Sequence, residues 1–203
     1  MPSSDAPDSG RSLVRAAFTV SVLSIGWTVL TGAAAVGLGL TSGSVVLVAF
    51  GAVGALDALG SAALAQHFRH ALRHDSLNED LERVAHRIVT VGLVVVGVVA
   101  VIGGLLRLLL GGTAESSVAG TVIAGSSVVV LSGLSRRKVV LARDVGSPAL
   151  RSDGHLSAVG AAQAVVTLLG TVTTLIGWPW ADPAAAIAVG VVALNVGVQS
   201  WRG

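Results

Sequence analysis

An aspartate and a histidine, Asp153 and His155, stand at the entrance to a run from Leu156 to Ala181 that carries no charged residue. A second acid, Asp57, lies between two apolar stretches much earlier in the chain. Carboxylates and imidazoles bind cations and carry protons, and in apolar surroundings they are expensive enough to be kept for a purpose. The three side chains are therefore candidate metal ligands, and together they suggest a polar pathway for a cation. An acid at mid-span costs about 2.5–3.5 kcal/mol or more, so Asp57 is the hardest of the three to explain structurally. Asp153 has an alternative role as the cap of a helix start. Asp153 and His155 are two residues apart and point to nearly opposite sides of a regular helix, so both serve one site only if Gly154 distorts the helix there. Gln163 and Asn195 read first as interhelical hydrogen-bond partners and second as ligands.

The elements that must hold these groups are membrane helices. Hydrophobic residues make up 53% of the 203 positions and charged residues only 12%, against about 25% charged in a soluble domain. The mean hydropathy is +0.82. Charge is missing from 16–56, 88–106, 116–135, 156–181 and 183–201, and one helical crossing needs roughly 20 apolar residues. The first run is long enough for two crossings if it turns near Gly37–Gly43. The expected fold is all-α, with six spans at about 14–38, 44–68, 86–110, 116–137, 149–176 and 182–201. Residues 1–10 read as a disordered polar tail and 11–203 as one membrane domain. Glycines such as Gly51, Gly54, Gly60, Gly154, Gly160 and Gly170 would let helices approach closely, and a close crossing of spans two and five would bring Asp57 towards His155.

Twelve of the 13 basic residues fall at one end of these spans, Arg107 being the exception. The positive-inside rule then places both termini and both charged loops in the cytoplasm. Expected localisation is the inner (plasma) membrane, crossed several times, with the lipid bilayer as the first partner. A net charge of +2 with arginines spread along the membrane edges gives no support to a nucleic-acid partner. The chain has no cysteine, which rules out disulfides and thiolate metal sites. No GxxxxGK[ST], HExxH or GxSxG pattern occurs, so an enzyme is not expected. His67, His70 and His74 form one helical stripe able to collect a borderline metal, but Arg69 and Arg73 between them favour an interfacial basic helix. The Arg136-Arg137-Lys138 cluster reads as a topology anchor.

The order of motifs resembles the cation diffusion facilitators, proton-coupled exporters of zinc and similar divalent metals. The resemblance is carried by the small-residue opening Ser42–Ala49 followed by Asp57, the Glu82-Arg83 pair, the segment Gly146–Asp153, and the tryptophan-rich turn Gly177–Pro183. It implies six spans with cytoplasmic termini and alternating access, and it makes a homodimer the expected assembly. It also implies two ligands on span two and two on span five, each pair spaced i, i+4. At those positions this chain has Val53, Asp57, Leu156 and Gly160, so only Asp57 is retained, and His155 is one residue out of place. A divergent transporter with a site rebuilt from Asp57, His155 and Asp153 is the leading reading. Its metal would be cargo, zinc first, with no permanently bound cofactor. A degenerate member acting as a partner subunit or regulator is the second reading, and a carrier of another cation or of protons is the third. The family's cytoplasmic C-terminal domain is not expected after the sixth span.

Overall fold

Six helices follow one another in a computed structural model that describes residues 6–71, 79–111, 115 and 117–202. They are α1 (Ala6–Ser42), α2 (Val45–Ala71), α3 (Glu79–Leu110), α4 (Val118–Val145), α5 (Pro148–Leu175) and α6 (Ala181–Arg202). Each contains an apolar stretch long enough to cross a bilayer. Helices are the natural outcome, because lipid offers no partner for a free backbone group. Hydroxyls along the helices follow the same rule: Thr28 donates to the carbonyl of Ser24 at 2.8 Å and Thr31 to that of Trp27 at 2.8 Å.

The expected spans are all present, with shifts in their limits. Helix α1 begins at Ala6, so residues 6–10 of the expected disordered tail are helical. Helix α4 runs eight residues beyond the expected end at 137, to Val145. The expected charged loop between spans four and five is thereby reduced to Gly146 and Ser147. Gly146 adopts φ 68° and closes α4, its N–H donating to the carbonyl of Ala142. A left-handed residue of this kind ends a helix at little cost only as glycine. Ser147 then caps α5, accepting from the N–H of Leu150 at 3.2 Å, with Pro148 in the first helical position. The cap is therefore Ser147 and not Asp153. Of the His67, His70 and His74 stripe, the side chains lie outside the described residues.

The closest packing joins α1 to α2, α3 to α6, and α4 to α5, and α2 also touches α3, α5 and α6. Helices α1, α2, α4 and α5 form one group, while α3 and α6 form a pair laid against it. Backbone approach at glycine makes these crossings. A Cβ on Gly51 would stand 2.5 Å from the carbonyl oxygen of Gly32, and one on Gly190 would stand 2.8 Å from that of Gly97. The tightest contact of Gly154 is with α4, at Val139 and Lys138, rather than with α2. At the end remote from the termini, Asp182 accepts from the Ser44 hydroxyl and, at 3.0 Å, from the N–H of Val45. This ties the start of α6 to the start of α2.

Candidate cation site

Asp57 and Ser61 are one turn apart on α2 and both are buried, so they share a face. On α5 the buried positions Asp153, Ser157, Gln163 and Thr167 recur at helical spacing and meet that face. Between the helices lies a small cavity lined by residues of α1 to α6, including Thr28, Val53, Asp57, Leu156, Gly160 and Gln163. Its volume is about 20 Å³ counted over positions open to the centre of a water molecule, room for about one water or one small ion. Val53, Asp57, Leu156 and Gly160 all line this one space.

Two polar side chains in this wall have unsatisfied atoms. Asp57 Oδ1, and both Oε1 and Nε2 of Gln163, are buried and find no hydrogen-bond partner among the described residues. Buried polar groups are normally paired, so three such atoms around one cavity mark it as a place for a polar guest. Gln163 was expected as an interhelical hydrogen-bond partner, and its amide makes no such bond. Asn195 does not make one either: its Nδ2 donates back to Val191 of the same helix at 3.0 Å, on an exposed face.

The structure separates the three expected ligands. Asp57 lines the cavity. Asp153 points inward too, but its Oδ2 lies 2.7 Å from Lys138 Nζ and its Oδ1 accepts from Ser61 at 2.9 Å. His155 is exposed and lines no part of the cavity. It shares an outward stripe of α5 with Arg151, Ala158 and Val165. Helix α5 is regular through Gly154, so the two-residue spacing turns Asp153 and His155 apart. Among the described residues no group of three His, Cys, Asp or Glu side chains could hold a metal ion.

Lys138 is the residue that sequence reasoning missed. It belongs to α4, not to a surface loop, and it is fully buried. Its ammonium donates to Ser24 of α1 at 2.8 Å, Ser157 of α5 at 3.0 Å and Ser61 of α2 at 3.3 Å, in addition to the ion pair with Asp153. Four helices are thus drawn to one cation whose three protons are all engaged. Ser135 reinforces the α4–α5 contact by donating to the carbonyl of Gly154 at 2.8 Å. The sequence held a signal for this. The buried positions Gly120, Ala124, Ser127, Leu131, Ser135, Lys138 and Ala142 recur every three or four residues, while Arg136 and Arg137 fall off that face and are exposed.

The polar groups form a line. It runs from Lys138 and Asp153 past Ser61 and Ser157 to Asp57 and Gln163, and between Lys138 and the end that carries the termini Ala17, Leu64, Phe68, Ala142 and Leu150 pack into an apolar cluster. Towards the other end Val46, Ala49, Ala100, Ala186 and Val189 pack together, and Thr171, Ser44 and Asp182 are also buried there. Residues 21–202 match the family model of the cation efflux transmembrane domain. The chain belongs to the cation efflux family. No curated protein matches it. Membership makes it a multi-pass membrane protein of a cation-transporting family, with no catalytic family in view, and it confirms the resemblance carried by the motif order. The four positions at which the family resemblance implies ligands, Val53, Asp57, Leu156 and Gly160, all line this cavity, and only Asp57 among them carries a charge.

Proposed function

We propose that this protein exports a divalent metal cation from the cytoplasm, and that the cation passes through the cavity at Asp57 in exchange for protons. The observation that carries the reading is the convergence of Val53, Asp57, Leu156 and Gly160 on one cavity in whose wall Asp57 Oδ1 and the Gln163 amide find no partner among the described residues. Asp57 supplies the charge and must be deprotonated to bind a metal, so loading and proton release are linked at its carboxylate. Gln163 Oε1 supplies a second oxygen, and water completes the shell. His155 is not part of this set, because its side chain faces away. Asp153 is held by Lys138 and Ser61, and it serves the site by setting the charge at its entrance.

The donors at the cavity are oxygens, with no described imidazole among them. Such a set suits a hard cation such as manganese(II) better than zinc, the metal that the family resemblance suggests first. The test is uptake of zinc and manganese(II) into proteoliposomes of purified protein, with and without a pH gradient. Flux that depends on the gradient and is lost in Asp57→Asn is the expected result. Equal flux in wild type and Asp57→Asn would remove Asp57 from the pathway. No flux of either metal from folded wild-type protein would favour a partner subunit or regulator.

A further inference from the structure

We infer that Lys138 is a tethered cation that competes with cargo for Asp57, and that Asp153 with Ser24, Ser61 and Ser157 is the rest that holds it off. The half of this inference that concerns cargo rests on reading the Asp57 cavity as a cation site; the half that concerns the tether does not. Lys138 Nζ lies 3.3 Å from Ser61 Oγ, and Ser61 is one helical turn from Asp57 on the same face of α2. Lys138 and Asp153 are near enough for their charges to act on Asp57. Lysine carries a compact charge with three rotatable donors on a four-carbon stem. A shift of about one helical turn would take the ammonium from its present partners to the unpartnered Oδ1 of Asp57.

Charge counting explains why the rest is needed. Two carboxylates and one ammonium share this buried region, so only one acid can be neutralised internally. While Asp153 holds Lys138, Asp57 remains available to a cation arriving from outside. Without Asp153, Asp57 is the remaining acid within reach, and burial makes an uncompensated ammonium costly. Lys138 would then occupy the cargo position. The three serines hold the ammonium but supply no charge, so they steady the resting position without being able to replace Asp153.

The tether can be tested without any metal, by thermal unfolding of the full chain in detergent. In the wild-type background, Asp57→Asn should leave the midpoint unchanged or raise it, because Asp57 Oδ1 has no partner to lose. In the Asp153→Asn background, the same change removes the last counter-ion and should lower the midpoint by on the order of 10 °C. Equal shifts in the two backgrounds would show that Lys138 does not reach Asp57. An Asp153→Asn protein that fails to fold, beside a folded Asp153→Asn/Lys138→Gln protein, would show the same. The cargo half is tested by manganese(II) binding normalised to folded protein. The dissociation constant should rise at least about ten-fold in Asp153→Asn, a difference of 1.4 kcal/mol, and return in Asp153→Asn/Lys138→Gln. A merely structural ion pair would lower the folded fraction and leave that constant unchanged. If stability coupling is present and no variant binds manganese(II) or zinc, the tether stands and the cavity is not a site for these cations.

Discussion

Gln163 carries two buried polar atoms without a partner among the described residues, and each such atom costs about 1–3 kcal/mol. Leucine has nearly the same volume and no polar atoms. Gln163→Leu should therefore raise the thermal midpoint by several degrees and reduce cation flux, a trade of function for stability that unfolding and flux assays read separately. A higher midpoint with unchanged flux would leave Asp57 as the only protein ligand. Lys138 behaves in the opposite way. Lys138→Met strands the Asp153 carboxylate and should cost about 3–5 kcal/mol, whereas Lys138→Met with Asp153→Leu should recover most of that loss. Chemical denaturation of the three proteins measures both quantities.

Glycine decides how the helices cross, and its effect depends on what lies opposite. Gly51→Ala and Gly190→Ala set a methyl group 2.5 Å and 2.8 Å from backbone oxygens, which cannot move aside without parting the helices. Each should destabilise the protein by about 1–3 kcal/mol. Gly26→Ala and Gly133→Ala meet nothing within 4 Å and should be neutral or slightly stabilising, since alanine favours a helix by about 1 kcal/mol over glycine. Midpoints of the four variants in one detergent test the contrast. At this scale the sequence was informative wherever composition alone decides. Charge-free runs marked the six spans, and Gly43, Gly146 and Gly177 all adopt positive φ between helices. Partner choice was not legible in the same way. The glycines of α5 could equally have faced α2, and only packing shows that Gly154 faces α4. Nor could a run of three basic residues reveal that its third member turns inward, because composition averages over faces that a helix separates by 100° per residue. At the candidate site, Asp57 was legible as a lone acid in an apolar run. His155 was not separable from it until α5 showed which side faces the cavity.

Viewed whole, the bundle has one basic end and one nearly uncharged end. Among the described residues, the start of α1, the end of α6, the α4–α5 turn and every basic residue except Arg107 belong to the first end or its approaches, and Arg107 lies against Gly43 at the second. We propose from the positive-inside rule that the first end faces the cytoplasm. Since the chain has no cysteine, single cysteines report without a background. Trp201→Cys should react with an impermeant thiol reagent only from the cytoplasmic side, and Leu110→Cys only from the other. Both native side chains are largely exposed. The reverse pattern would invert the direction assigned to transport.

The bond from Asp182 to Ser44 and Val45 has a mechanical consequence. It fastens the α3–α6 pair to the four-helix group at one end, while the Lys138 cradle binds α1, α2, α4 and α5 to one another and leaves the pair out. A body fixed at one end and held elsewhere by apolar contacts and glycines has a pivot. Thermal motion of the pair should accordingly be smallest near Asp182 and should widen like a pair of tongs towards Gln199. Spin labels would show this as a broader spread of distances between Gln66 and Gln199 than between Leu40 and Trp180, which is exposed beside the start of α6.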